Sequence, residues 1–146
     1  MEKDILIFAF ALNNEGVFSD NHFGDTDSFS ICKYDKGKIV DVESVPNKFK
    51  TADESTEHGS KSKGEGIISH LKNFGVKVLV SKQFGRNIKL VSRHFVPVIV
   101  KDDNPDKVKD VLIEHINWLD DAFMYPKKRY KLFNIGKGVM KTIISG

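Results

Sequence analysis

The chain of 146 residues holds one cysteine, one tryptophan and four prolines, and its apolar stretches are short. A single thiol, Cys32, excludes an intramolecular disulfide, a Cys-x-x-Cys redox pair and a four-thiolate cage for zinc or an iron–sulfur cluster built from this chain alone. The apolar run over residues 5–12 is too short to cross a bilayer and shows no signal-peptide cleavage site, so a soluble protein of a reducing, cytoplasmic compartment is expected. Acidic residues are absent from Tyr125 onward. Residues 1–124 carry 17 basic and 20 acidic groups, whereas residues 125–146 carry six basic groups and no acidic one. The net charge of +3 therefore describes a slightly acidic domain (1–124) with a basic tail (125–146), which argues against nucleic-acid binding by the whole protein.

What is present reads as alternating strand and helix. Residues 4–12 form a near-continuous apolar run that stops at Asn13-Asn14-Glu15-Gly16, the pattern of a central strand covered on both faces. Residues 28–35 alternate, Lys36-Gly37 turns the chain, and residues 38–45 form the return strand of a hairpin. Residues 46–66 are polar and glycine-bearing and read as a loop. The capping-box spacing of Ser62 and Glu65 then starts a helix with Ile67, Ile68, Leu71 and Phe74 on one face, ended by Gly75. Strands over 76–80 and 96–100 flank a helix over 85–95. Asn104-Pro105 opens a last helix with the stripe Val108, Val111, Leu112, Ile116 and Leu119.

This order implies parallel strands with helical crossovers in the second half and antiparallel strands from the hairpin. The expected fold is α/β: a three-layer sandwich on a mixed five-stranded sheet, in a ribonuclease H-like arrangement. The nucleases of that fold class need carboxylates converging on two divalent metals, one of them projecting from the first strand. Residues 5–12 carry no carboxylate, and no Ser/His/Asp order, glycine-rich phosphate fingerprint or His-x-x-x-His pair occurs elsewhere, so no enzymatic activity is expected.

The most specific short stretch is Ser19-Asp20-Asn21-His22-Phe23-Gly24, a polar turn after the first strand. It is followed by a strand containing Phe29, Ile31, Tyr34 and Asp35. In these features, a first strand, a Ser-x-x-His-Phe-Gly turn and a Phe-x-Ile-x-x-Tyr-Asp strand, the chain resembles the nitrogenase iron–molybdenum cofactor biosynthesis and carrier proteins. The likeness continues through Gly75-Val76-Lys77-Val78-Leu79-Val80 and Phe84-Gly85, covering about residues 4–120. The resemblance implies carriage of an iron–molybdenum or other iron–sulfur cluster precursor, bound transiently, rather than catalysis. It implies His22 as a metal ligand, cluster donor or acceptor proteins as partners, and a ribonuclease H-like fold. The alternative reading of His22 is a structural hydrogen-bonding turn residue.

Around this turn, Phe23 and Gly24 complete the candidate binding segment, and His58 is placed as a second donor in a loop able to close over a ligand. Ligands of open α/β sheets collect beyond the carboxyl ends of parallel strands. That rule selects the segment from Ser81 through Lys82 and Gly85 to Arg86, whose amides and two cations suit an anion. Cys32 offers a soft donor or a small packing residue. The tail mixes cations with Leu132, Phe133, Ile135, Val139, Met140, Ile143 and Ile144, too apolar for disorder. It is expected to dock onto its own domain or a neighbouring subunit. That leaves a second functional reading, a regulatory or scaffold module that associates with itself or other proteins through the tail.

Overall fold

A computed structural model describes residues 5–51, 57–124 and 130–145, with side chains over 5–51, 61–124 and 132–142. The first strand, β1 (Ile7–Leu12), is an interior strand of the sheet, and Phe8, Ala9, Phe10 and Ala11 are all fully buried. Its alternation divides the core. Phe8 and Phe10 belong to a cluster with Val108, Val111, Leu112 and Leu119, whereas Ala9 and Ala11 belong to one with Ile67, Ile68, Leu71 and Val91. The first helical pair is α3 (Pro105–Glu114) and α4 (Ile116–Met124); the second is α1 (Glu57–Lys72) and α2 (Ile88–Ser92). Successive strand residues point to opposite faces, so helices cover both sides and the architecture has three layers.

The hairpin forms where expected, as β2 (Ser28–Asp35) and β3 (Lys38–Pro46), turning on Lys36 and Gly37 at φ 51° and 83°. Two consecutive positive φ values mark the tight turn whose twist matches a two-stranded ribbon. β4 (Val78–Ser81) and β5 (Val96–Val100) follow, parallel to β1 and to each other.

Among the described residues the expectation of five strands is corrected to seven. β6 (Tyr130–Gly136) pairs parallel to β5, and β7 (Val139–Ser145) returns antiparallel, giving the order β3-β2-β1-β4-β5-β6-β7. Residues 130–145 of the basic tail are thus part of the same sheet. Phe133, Ile135 and Met140 are buried in the cluster formed with α3 and α4. Lys137-Gly138 turns this hairpin with φ 53° and 75°, repeating Lys36-Gly37. Residues 125–129 lie outside the described residues.

Three further boundaries differ from the sequence reading. α1 begins at Glu57, within the stretch read as loop, so the Ser62/Glu65 spacing does not mark its start. The helix expected over 85–95 divides into a 3-10 turn (Gly85–Asn87) and the five-residue α2. The last helix breaks at His115, whose φ and ψ of −119° and 26° end α3, and α4 carries the stripe on to Leu119. Asn104 caps α3 as expected, its side chain accepting from the Asp106 amide at 2.8 Å.

Cys32 is fully buried on β2 facing the α3/α4 cluster, 3.1 Å from Asp41 Oδ1. Burial raises its pKa from 9.0 to about 12, with Asp41 adding to the rise, so at neutral pH it is a thiol and a poor soft ligand. The folded state holds this proton more tightly than the unfolded chain. Its contribution to stability is therefore complete below pH 9 and lost as pH rises from 9 towards 12. Denaturant titrations across that range are expected to show a steeper alkaline loss for the native sequence than for Cys32→Ala, and parallel losses would contradict this.

Candidate functional site

The chain between β1 and β2 folds over the carboxyl ends of the parallel strands. Phe18 N donates to the Asp103 carbonyl beyond β5 at 2.9 Å, and Phe23 N donates to the Gln83 carbonyl beyond β4 at 2.9 Å. His22 and Gln83 form an isolated parallel bridge. The structure therefore brings the His22 turn directly against the segment after β4, two regions that sequence reasoning selected separately. An added Cβ at Gly85 would lie 3.7 Å from the Cβ and Cγ of His22, and Gly85 has φ +63°, a conformation that favours glycine.

His22 has extended φ and ψ and caps a 3-10 turn (Phe23–Asp25). Its Nδ1 accepts from the Gly24 amide at 3.2 Å, and its Nε2 lies 3.0 Å from Asp25 Oδ2. In a neutral ring these bonds place the proton on Nε2. A Cβ at Gly24 would meet His22 Cε1 at 3.0 Å and Nδ1 at 3.1 Å, so a side chain there would press on the imidazole. Phe23 is buried, its ring 5.8 Å from that of Phe84.

Two residues that hold this turn escaped the sequence reading. Lys63, on α1 and 3% exposed, donates from Nζ to Asp25 Oδ1 at 2.7 Å and to the Lys50 carbonyl at 3.0 Å. Buried lysines are rare without a partner, and here the partner is the carboxylate that also meets His22. Asn47, just after β3 and 8% exposed, donates to the carbonyls of Gly24 and Thr26, both at 2.9 Å, and accepts from the Phe49 amide at 3.0 Å. Thr26 Oγ1 donates to the Leu12 carbonyl at 2.6 Å, tying the end of the turn to the end of β1.

The segment after β4 differs from a simple anion cradle. The Ser81 hydroxyl is buried and donates to the Gln83 carbonyl at 2.9 Å. Lys82 bonds Asp20 Oδ1 at 2.6 Å and also Asp103 Oδ1. Burial alone would lower the Lys82 pKa, but the hydrogen bonds it donates to Asp103 and Asp20 raise it, so this cation is charged and already matched. Arg86 is exposed on the 3-10 turn. The helix behind this segment is only five residues long and supplies little dipole. The backbone of His58 lies in α1 rather than in a loop, and its side chain falls outside the described residues. His70 and His94 are half-buried boundary residues, and His115 stacks on Trp118 with ring centroids 4.2 Å apart.

Among the described residues, no group of three or more His, Cys, Asp or Glu side chains is placed to hold a metal ion. What the turn offers is one imidazole at a strand-end crevice. The sequence pattern of the family described as dinitrogenase iron-molybdenum cofactor matches residues 4–117. The chain belongs to this family. The match includes the His22 turn and the segment after β4. A crystal structure of a dinitrogenase-like protein from Methanocaldococcus jannaschii is similar in fold, with a TM-score of 0.55 and 20% identity over 77% of this chain and 92% of that one. No curated protein matches the chain in sequence. Among the described residues, no helix is long and apolar enough to cross a membrane.

Proposed function

We propose that the chain is a non-catalytic carrier that holds an iron–molybdenum or related iron–sulfur cluster precursor transiently, with His22 as the ligating side chain. The carrying observation is that both ring nitrogens of His22 are engaged within a short turn: Nδ1 by the Gly24 amide and Nε2 by Asp25. A metal on Nε2 requires the ring proton on Nδ1, where it would face the Gly24 N–H, and a metal on Nδ1 displaces that amide outright. Loading therefore opens the turn, and its reclosing favours release. Asp25, freed from the imidazole, keeps Lys63 as its partner. One nitrogen donor with a built-in competitor suits handing a cluster between donor and acceptor proteins.

In this reading residues 1–124 are the carrier-like unit and 125–146 an extension that widens its sheet. The order β3-β2-β1-β4-β5, with β2 running against the other four, supports a ribonuclease H-like arrangement for that unit. Phe23, Gly24 and Gly85 shape the seat around His22, while Ser81 and Lys82 hold the opposite wall through their own internal bonds.

The test is anaerobic incubation with a cluster donor, gel filtration, and iron and molybdenum analysis of the protein peak. The native sequence is expected to retain cluster and His22→Ala to lose most of it. Equal retention by native protein and His22→Ala would remove His22 from the mechanism. No retention by the native protein would remove the cargo.

A further inference from the structure

At the opposite end of the sheet, below the amino ends of β4 and β5, lies a groove of about 480 Å³. That volume falls within the range of small-molecule sites. Its rim carries Lys72 from the end of α1, Lys77 from the approach to β4, and Arg93 and His94 from the turn after α2. Its apolar side is formed by Phe95 and Phe123 with their neighbours. No carboxylate lines it among the described residues. Lys72 Nζ is 3.3 Å from His94 Nδ1, and Lys77 Nζ lies 5.3 Å from the centre of the Phe123 ring.

The charges here have an ordinary use, since the end of a helix carries roughly half a negative charge that cations offset. α1 ends at Lys72, α4 at Met124 and the five-residue α2 at Ser92, so the helix ends account for about one to one and a half units. Lys72 and Arg93, both exposed, exceed it, leaving a positive potential over an apolar wall. His94 reports the same field. Burial first, and then the cations Lys72 and Arg93, hold its pKa below the usual histidine value, which leaves a neutral ring able to accept from Lys72.

We propose that this groove binds a small amphiphilic anion, its charged head between Lys72 and Arg93 and its aromatic or aliphatic body against Phe123. Charge complementarity selects the head, and the half-buried Phe123 ring, already under a cation, selects the body. This site is separate from the His22 turn, which lies at the carboxyl ends of the same strands.

The experiment titrates the full chain with 1-naphthyl phosphate by calorimetry and by NMR, beside inorganic phosphate and 1-naphthol. Saturable binding by 1-naphthyl phosphate is expected to shift the His94 and Phe123 resonances. Each half-ligand is expected to bind more weakly by about tenfold or more, the scale of one charge-assisted contact. Arg93→Gln, an exposed position, and Lys72→Gln should each weaken binding by about tenfold, with the loss smaller at high salt, while His22→Ala leaves it unchanged. Circular dichroism of each variant separates lost binding from lost folding. No saturable shift at His94 and Phe123 up to about 1 mM, an affinity range already weak for a built site, overturns the proposal. So does binding indifferent to both charge substitutions, or binding lost in His22→Ala.

Discussion

A chain ending at Met124 is expected to lose its cooperative thermal transition and to elute as aggregate, even though the family match ends at residue 117. The missing strands supply Phe133, Ile135 and Met140, all buried in the cluster on the α3/α4 face. Removing large buried side chains costs about 2–5 kcal/mol each, and a domain of this size has only about 5–15 kcal/mol in total. Truncation also strips the ladder from β5, exposing a run of unpaired amides on a Val-rich strand. The graded form is Phe133→Ala, for which equilibrium denaturation should show a loss of about 3–5 kcal/mol. A soluble, two-state truncated chain would mean that β6 and β7 lie against a core able to stand without them.

Asn47→Ala is expected to cost about 2–6 kcal/mol and to loosen the His22 turn. Its amide satisfies the Gly24 and Thr26 carbonyls, and its oxygen accepts from Phe49; alanine leaves two buried acceptors without this donor. Each unsatisfied buried group costs about 1–3 kcal/mol, which sets the total. Because Gly24 also donates to His22 Nδ1, the loss should reach the site: hydrogen exchange at the Gly24 and Phe23 amides is expected to accelerate more than exchange in β4. A variant with unchanged melting temperature and unchanged exchange at these amides would show that Asn47 merely fills space.

The parts of the fold legible in the sequence are those where a local pattern is also the global one. The run over residues 4–12 reads as a strand buried on both sides, and Phe8 to Ala11 are so buried. Lys36-Gly37 reads as a hairpin turn and adopts one. The same dipeptide at Lys137-Gly138 was an available signal for β6 and β7, obscured by the cations of residues 127–131, which make the approach read as a charged tail. The first part of α1 was hidden for a different reason. A helix that buries a lysine against a carboxylate has no apolar stripe there, and Lys63 finds Asp25 across 38 residues of sequence.

The site divides along the same line. The general rule that ligands gather beyond parallel strand ends pointed to the segment after β4, and the His22 turn does lie against it through Gln83. The partners of Lys82 were not legible, since Asp20 and Asp103 are 62 and 21 residues away. They change a lysine read as bait for an anion into a strut between two loops. Asn47 carries no local signal either, its two carbonyl acceptors lying 23 and 21 residues earlier in the chain.

The most direct measurement is pulsed electron paramagnetic resonance of a paramagnetic cluster precursor loaded anaerobically onto chain labelled with nitrogen-15 at histidine. Ligation by His22 predicts a hyperfine coupling to one directly bound histidine nitrogen, lost in His22→Ala and retained in Cys32→Ala, whose thiol is buried and protonated. A loaded native chain with no histidine-nitrogen coupling, or a coupling that survives His22→Ala, would contradict the assignment of this turn as the place where cargo is held.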